Sequence, residues 1–537
     1  MERSSRASLL IDVALYGLCA AFAATTALWS TLPAHRFWGA IALGGYVPAM
    51  LISAMLVTRY ALPAIARMWI ALGASAAVSL MPLAAEVTQR AAGVSGRSQE
   101  EVGVIEDSGV RLLKTGSPYL SVDKIADLPH KLLGYNPYQP GMSVFGLPRA
   151  LTSGGLGDAR IWFAVATIGC VFGALRVLAR SGMPRGVAVR AVQSVGVLPI
   201  CALTLATGGD DLPILAACLL ALAFAASGRF TGAGIAVGCA AAAKLFAWPV
   251  LVVLLVLAIR RRRAAGFAPP AIGIPLVTLA PILLLHGKDF VANVVDFPLG
   301  RGMVDSTAAS PFPGYLIANH LPAGGVIATV LLVVAAIALG VYVVARPPDT
   351  AYRAAGVCAV GLLVAIALMP SSRFGYLLYP AVFGVWWWVL KNTAHPNPVW
   401  SAKTRTSQVP LVRMEMTCPK CHAKMRQYER NGVTVDQCSE CRGIFLDRGE
   451  LEHLIDADAK FNAQADEPPT KVQPTTPPPA APAPGQYPPP ASPYEYGGQP
   501  YYRHSHGGAR YKHSYGGHHQ GGYGRKRRKS FFDQLFD

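Results

Sequence analysis

The stretch DLPILAACLLALAFAASGRFTGAGIAVGCAAAAKLFAWPVLVVLLVLAIRRRR, residues 211–263, contains three apolar segments in close succession. They cover 212–227, 230–243 and 247–259, and the last two are short and meet at the turn KLFAWP. This pattern predicts two half-length helices joined in a hairpin, or one broken helix. Because such uncharged segments are typical of helices in the ~30 Å hydrocarbon core of a bilayer, the stretch predicts an α-helical membrane protein.

The rest of the chain extends this pattern. Its 537 residues are 52% hydrophobic and only 15% charged, with a mean hydropathy of +0.36, which is outside the usual range for a soluble domain. Further apolar runs cover 9–30, 37–57, 61–83, 159–179, 190–206, 270–286, 323–345, 354–370 and 374–390. We therefore expect a polytopic membrane bundle, mainly α, with about twelve spans. The first run has a basic start and is expected to be a retained signal anchor.

Lysines and arginines in the short loops predict the orientation, because basic loops resist translocation. If the spans alternate, one side collects Arg3, Arg6, Arg59, Arg180, Arg185, Arg190, Arg229, Arg260 to Arg263, Arg346, Arg353 and Lys391. That side, with both termini, is expected to be the cytoplasm. Residues 84–158, 207–211 and 287–322 and the KLFAWP turn then lie on the outer face. The formal net charge of +18 follows largely from these loops, so it indicates a lipid bilayer, and nucleic acid is not an expected partner.

The composition changes where the predicted membrane domain, 1–391, ends. Residues 392–413 are polar and patternless, and we expect a linker there. Residues 414–456 are compact and contain cysteines. Residues 457–537 form a Pro-rich and then His- and Gly-rich tail with a basic terminus. Such compositions bury too little apolar surface to fold, so the tail is predicted to be disordered.

Charged residues on the predicted outer face are candidates for a catalytic site. Glu106 and Asp107 lie in VIEDSG, before GYNPYQPGMSVFGLPRAL, an apolar segment that is broken by Pro and Gly and too short to span. We expect that segment to line a cavity. Lys244 and Arg373 each stand at the predicted outer end of a span, where a charge is costly unless it is paired or hydrated. Alternatively, both side chains snorkel to the interface.

A second acidic pair on this face is Asp210 and Asp211, in GGDDLP. The two residues either bind a metal or cap the helix that begins at Leu212. We favour capping and expect no metal on the outer face.

The order of short motifs resembles a known family. A carboxylate pair precedes LLKTGSPYL, and YNPYQPG, GGDDLP, AAAKLFAWP and SSRFGYLLYP follow. Over about residues 95–390 this order is similar to the actinobacterial branch of glycosyltransferase family 87, in the GT-C class of polytopic sugar transferases. One departure is the acidic loop, which follows the first span in the family and the third predicted span here.

The resemblance implies an inverting hexosyl- or pentosyltransferase. The donor would be a sugar linked to polyprenyl phosphate, and the acceptor a hydroxyl of a glycan or glycolipid on the extracytoplasmic face. The resemblance favours Asp107, or else Glu106, as the base that takes the hydroxyl proton. Lys244 and Arg373 would bind the leaving phosphate. No cofactor is implied for the transferase.

Four of the ten cysteines form a metal-ligand pattern. Cys418 and Cys421 lie in CPKC and Cys438 and Cys441 in CSEC, while the other six stand singly in apolar runs. Two C-x₂-C pairs at this spacing predict a closed tetrahedral Zn²⁺ site. A disulfide is the alternative, which the expected reducing cytoplasm disfavours.

The segment MTCPKCHAKMRQYERNGVTVDQCSECRGIFLDRGELEHLI resembles the TFIIB-type zinc ribbons of bacteria, so a small β-rich domain is expected. Its acidic and basic residues nearly balance, which favours a structural role or a cytoplasmic protein partner over nucleic acid. Two alternatives stay open. The chain could be a membrane-anchored zinc-ribbon module that recruits such a partner, with the membrane part as transporter or anchor. It could also be a fusion of two neighbouring reading frames at 392–413.

Overall fold

The computed structural model describes residues 6–58, 64–152, 154–304, 307–394, 417–430 and 433–445. The chain divides into two compact units, Met1–Ser407 and Gln408–Asp537. The predicted tail, 457–537, and nearly all of the predicted linker, 392–413, lie outside the described residues, so both stay predictions.

The first unit is helical throughout its described part. Its helices are α1 (Arg6–Trp29), α2 (Pro33–Thr58), α3 (Ala64–Ser75), α4 (Met81–Ala91), α5 (Glu100–Thr115), α6 (Val122–Ala126), α7 (Leu147–Leu151), α8 (Ala159–Arg180), α9 (Arg185–Gly196), α10 (Pro199–Thr207), α11 (Asp211–Ala226), α12 (Phe230–Ala243), α13 (Ala247–Arg260), α14 (Ala264–Phe290), α15 (Pro313–His320), α16 (Gly324–Ala345), α17 (Ala351–Leu368) and α18 (Leu378–Ala394). Short π-helices cover Ala76–Leu80 and Val291–Asp296, and 3₁₀ turns cover Lys131–Gly134, Pro140–Gly146, Gly155–Gly157 and Phe374–Leu377.

The expected number of twelve spans is not confirmed. Within the described ranges, seven helices are long and apolar enough to cross a membrane, or eight if α9 and α10, bent by 46°, count as one span. The difference lies mainly in α11, α12 and α13, which have 16, 14 and 14 residues. At about 1.5 Å per residue these helices reach only about 21–24 Å, short of a ~30 Å core.

α11 in particular is apolar because protein surrounds it. Leu212, Leu215 and Leu219 of α11 are all fully buried. A helix that is apolar on all sides can be buried either in a protein interior or in a lipid bilayer, so its composition does not distinguish the two. The predicted hairpin at KLFAWP is present, since α12 and α13 are separate helices joined at 244–246.

The predicted outer-face loop around the acidic pair is a helix. Glu106 and Asp107 lie in α5, which ends at Gly116 in the left-handed conformation (φ 75°). The 3₁₀ turn Pro140–Gly146 crosses α5 at very short range, because a Cβ atom on Gly109 would come within 2.2 Å of the Gly146 carbonyl carbon. The segment predicted to line a cavity is therefore held against α5 by backbone contact.

The second unit has a small antiparallel sheet of strands β1 (Met425–Arg430), β2 (Val433–Cys438) and β3 (Ile444–Phe445) in the order β1-β2-β3. Met425 pairs with Cys438, and Asp436 pairs with Phe445. The helical bundle and this sheet confirm the predicted fold class, mainly α followed by a small β-rich ribbon.

Candidate functional site

The bundle contains a cavity, here called the polar cavity, where three parts of the chain meet. They are the first turn of α5, the turn between α12 and α13, and the segment between α17 and α18. Its polar lining consists of Glu100, Glu101, Tyr135, Tyr138, Lys244, Thr307, Ser371, Arg373 and Tyr376. Two of the four residues predicted for sugar transfer, Lys244 and Arg373, therefore line one cavity.

Lys244 is a buried cation with two carboxylate partners. It follows α12, is only 7% exposed, and its Nζ lies 2.6 Å from Asp210 Oδ2 and 2.6 Å from Asp211 Oδ1. The Tyr379 hydroxyl donates to Asp211 Oδ1 at 2.8 Å. A buried charge requires such partners, because burial without them costs several kcal/mol (~3–5). Lys244 therefore does not snorkel.

The favoured capping role of Asp210 and Asp211 is wrong. Asp210 occupies the N-cap position of α11 without a capping hydrogen bond from its side chain. Both carboxylates instead turn towards Lys244, since pairing a buried ammonium stabilises more than one capping bond, which contributes about 1 kcal/mol. The sequence places the two aspartates and Lys244 more than thirty residues apart, so their pairing depends on the packing of α11 against α12.

Arg373 joins the segment before α18 to α5. Its guanidinium forms an ion pair with Glu101 and donates to Thr307 Oγ1 at 2.6 Å. The Arg373 side chain is 34% exposed and that of Glu101 is 18% exposed, so the pair faces the cavity and remains reachable. Glu101 and its neighbour Glu100 were missed by reasoning from the sequence, although SQEE at 98–101 is an acidic pair just upstream of VIEDSG.

Glu106 lies on another side of α5. Residues in a helix are separated by about 100°, so Glu106 stands about 140° around the axis from Glu101. The Glu106 side chain is buried and accepts from Arg90 at 2.7 and 2.9 Å and from the Ala159 N–H at 3.2 Å. Asp107 is exposed, and neither Glu106 nor Asp107 lines the polar cavity.

The partners of Glu106 belong to a buried ion-pair network, here called the arginine network. It comprises Glu86, Arg90, Glu106, Asp158 and Arg160. Fully buried Arg160 donates to Glu86 Oε2 at 3.1 Å and to Asp158 Oδ2 at 2.8 Å. The network links α4, α5 and α8, so it fixes the rotation of α5 and thereby the direction of Glu101.

The four predicted zinc ligands come together in the ribbon. The Sγ atoms of Cys418, Cys421, Cys438 and Cys441 all lie within 4.8 Å of one another. The Cys418–Cys441 and Cys421–Cys438 separations are 3.6 and 3.3 Å. These values are near the edge of about 3.8 Å that a tetrahedron with Zn–S bonds of about 2.3 Å requires.

The thiol chemistry also fits a metal. Backbone N–H groups of Cys441 and Glu440 lower the pKa of the Cys438 thiol to about 6, because they stabilise the thiolate that binds metal. The donor set therefore fits structural Zn²⁺. Bound zinc would hold the two C-x₂-C turns together, and with four thiolates it would offer no position to a substrate.

Comparisons with known proteins match both parts of the chain. Residues 136–372 match the model of glycosyltransferase family 87, and residues 417–457 match a transcription factor zinc-finger model, the TFIIB-type zinc ribbon. Among solved structures, the chain is similar to the crystal structure of ArnT from Cupriavidus metallidurans bound to undecaprenyl phosphate, at 16% sequence identity and a TM-score of 0.37. That similarity covers 61% of this chain and 60% of the ArnT chain. No curated protein matches the chain.

The family matches confirm the predicted resemblances to glycosyltransferase family 87 and to the TFIIB-type zinc ribbon, while the actinobacterial branch stays a prediction. The polar cavity takes Tyr138 and Lys244 from within the matched segment and Glu101 and Arg373 from its flanks. The chain therefore combines a segment that matches the model of glycosyltransferase family 87, set in a bundle of membrane-type helices, with a segment that matches the model of the TFIIB-type zinc ribbon.

Proposed function

We propose that this protein transfers a hexose or pentose from a polyprenyl-phosphate-linked donor to a hydroxyl of a glycan or glycolipid acceptor, on the extracytoplasmic side of the membrane. The observation that carries the proposal is the polar cavity, in which carboxylates and cations adjoin a segment similar to glycosyltransferase family 87. The lipid-linked donor follows from the family resemblance and from the setting of the cavity among apolar helices.

The chemistry needs a base and a cation close together. The acceptor oxygen forms a bond to the anomeric carbon of the sugar while the bond from that carbon to the donor phosphate oxygen breaks. The hydroxyl proton passes to a carboxylate, and the bonding electron pair leaves with the phosphate, whose growing charge a guanidinium stabilises. In this cavity Glu101 supplies the carboxylate and Arg373 the guanidinium.

The ion pair between Glu101 and Arg373 is compatible with these two roles, proton acceptor and phosphate binder. A phosphate that approaches Arg373 can replace the carboxylate, because a guanidinium binds either group through parallel N–H donors. Glu101 is then released beside the phosphate and is free to accept a proton. Donor binding would thus prepare the base at the place where the acceptor hydroxyl must arrive.

Lys244 is a second phosphate contact in this proposal. Its ammonium has three donors, and Asp210 and Asp211 occupy two of them. Because Lys244 also lines the polar cavity, we expect the third donor to serve a phosphate bound there. Because two carboxylates already balance its charge, we expect Lys244 to orient the phosphate and Arg373 to provide most of the attraction.

A transfer assay tests the proposal. Membranes containing the protein are supplied with a radiolabelled polyprenyl-phosphate sugar and with acceptor lipids from the parent cells, and labelled product is separated from donor. Glu101→Gln should lower the transfer rate at least about a hundredfold, since general bases contribute about 10²–10⁴, while donor binding is retained. Asp107→Asn, an exposed position on the same helix outside the cavity, is the matched control and should stay within about twofold of wild type. Full activity of Glu101→Gln would reject the assignment.

The alternative of a membrane-anchored ribbon module is not favoured. It leaves the family 87 match and the cavity without a role. A protein partner for the ribbon is compatible with sugar transfer and needs no change in this proposal.

A further inference from the structure

A second cavity lies at the other end of the helices that form the polar cavity. This cavity, here called the arginine groove, is lined by Arg260, Leu339, Tyr342, Arg346, Arg353 and Trp387, among others. The polar cavity includes Phe246, just before α13, whereas the arginine groove includes Arg260, the last residue of α13. At about 1.5 Å per residue, α13 separates the two by about 21 Å.

The groove is cationic at one end and apolar at the other. On α16, Leu339 and Tyr342 lie three residues apart and share one helical face, and Arg346, the C-cap residue of α16, lines the groove with them. On α17, Arg353 and Val360 stand seven residues apart, about two helical turns, and both line the groove. Each helix therefore contributes an arginine at its end and apolar side chains one to two turns further into the groove.

The cationic end carries unbalanced positive charge. Arg260 and Arg346 form no ion pair with any residue in the described parts of the chain, and both side chains are exposed. Arg353 is paired with Asp349 at 2.8 Å. Lys391 adds a further cation, with its Nζ 5.2 Å from the centre of the Trp387 ring. An anion placed here would meet at least two arginines that lack a competing carboxylate.

The apolar end opens towards the membrane. Only 11% of the most apolar window of α16 is buried, the smallest share among the helices long enough to span. Tyr342 and Val360 are 48% and 61% exposed. A ligand that fills the whole groove must therefore be anionic at one end and apolar over the rest of its length, and it must be able to enter from lipid.

We propose that the arginine groove binds one anionic phospholipid. The phosphate lies among Arg260, Arg346 and Arg353, and an acyl chain runs along Leu339, Tyr342 and Val360 between α16 and α17. A phospholipid can place its phosphate beside the arginines and bury its acyl chain against the apolar walls of the groove, whereas a free anion would leave those walls uncovered. The site is separate from the polar cavity and does not depend on the reaction assigned to it.

Native mass spectrometry of the purified full-length protein in neutral detergent tests whether the arginine groove binds an anionic phospholipid. After delipidation, the protein is titrated with palmitoyl-oleoyl phosphatidylglycerol, with phosphatidylcholine of the same chains, or with inorganic phosphate. Wild type should retain one phosphatidylglycerol in preference to phosphatidylcholine, and inorganic phosphate should not displace it. The triple variant R260Q/R346Q/R353Q should bind about a hundredfold more weakly, at about tenfold or less per arginine.

The matched control is R36Q/R180Q/R229Q, which removes three exposed arginines from ends of other helices and should bind as wild type does. If the triple variant unfolds, the single variant R346Q serves, and phosphatidylglycerol should raise its melting temperature less than that of wild type. The proposal would be overturned if the protein retained both lipids equally, if inorganic phosphate displaced phosphatidylglycerol, or if the arginine variants bound it as wild type does. A lipid-excluding dimer would assign the groove to a second copy and would also overturn it.

Discussion

At the scale of single residues, the carboxylates of α5 differ in what surrounds them. Glu101 faces a reachable guanidinium in a cavity, Glu106 is enclosed by Arg90 and a backbone N–H, and Asp107 is exposed. A base that must exchange a proton with a substrate needs to be reachable from a cavity, as Glu101 is. A carboxylate that is enclosed like Glu106 stabilises the fold instead, because its lone pairs already accept hydrogen bonds.

We predict different outcomes for the two carboxylates that the sequence favoured. Asp107→Asn should leave the transfer rate within about twofold of wild type, since exposed substitutions away from special features change stability by at most about 0.5 kcal/mol. Glu106→Gln should lower the melting temperature, because Arg90 and the Ala159 N–H lose a charged acceptor. Transfer assays and thermal unfolding in detergent measure both. Loss of transfer in Asp107→Asn at normal protein level would restore the base predicted from the sequence.

The sequence could locate the acidic segment but not choose its functional member. Glu100, Glu101, Glu106 and Asp107 lie within eight residues, and the choice depends on helical rotation. That rotation is fixed by the arginine network, whose members come from α4, α5 and the start of α8, up to 74 residues apart in the chain. Lys244 and Arg373 could be singled out from the sequence, because a charge beside apolar runs is costly, and both line the polar cavity; their role in binding phosphate stays a prediction.

At the scale of elements, the contact between α5 and the 3₁₀ turn Pro140–Gly146 holds Glu101 in place. A Cβ atom on Gly109 would meet backbone atoms, which cannot rotate away as a side chain can. Small residues allow two backbone segments to approach this closely. The position of the first turn of α5 thus depends on a glycine about two turns further along the same helix.

Gly109→Ala should therefore destabilise the bundle by about 1–3 kcal/mol, the usual cost of overpacking, and should reduce transfer. Gly103→Ala is the control, because it lies on the same helix with no atom within 4 Å of its added Cβ. That substitution should stabilise the protein by up to about 1 kcal/mol through helix propensity. Thermal unfolding of both variants is the measurement. A Gly109→Ala variant as stable as Gly103→Ala would contradict the described contact.

Continuous apolar runs predicted most helices of the bundle, including the break between α12 and α13. It could not tell which helices touch lipid, because α11 is as apolar as a span and yet is buried within the protein. The helix carrying Glu106 was predicted as a loop, since its apolar residues occupy one face only. Conversely, the cysteine spacing was sufficient for the ribbon, because four ligands around one metal leave little freedom in the local fold.

At the scale of the whole molecule, the chain consists of a bundle with a candidate sugar-transfer site and a ribbon with a candidate zinc site. The two sites use different chemistry and share no residue. The positive-inside rule predicts that the arginine groove lies on the cytoplasmic side of the membrane.

Removing zinc should therefore unfold the ribbon without stopping sugar transfer. Around forty residues cannot bury enough apolar surface to fold alone, and zinc binding supplies most of the folding free energy in such modules. A 414–460 fragment should bind one Zn²⁺ through the four thiolates and lose its circular dichroism signal when a strong chelator is added. Full-length Cys438→Ser should keep the wild-type transfer rate. Loss of transfer in that variant, at an unchanged membrane level, would show that the ribbon regulates the bundle.

The central claim is that the bundle takes sugar from a lipid phosphate. Its most direct test is purified full-length protein reconstituted in liposomes with acceptor lipid and a doubly labelled polyprenyl-phosphate sugar, with one label on the sugar and one on the lipid. The account predicts that the sugar label moves to the acceptor while the lipid label appears as free polyprenyl phosphate in equal amount, and that Glu101→Gln stops both. Transfer from a nucleotide sugar instead, or no release of polyprenyl phosphate by the wild-type protein, would contradict it.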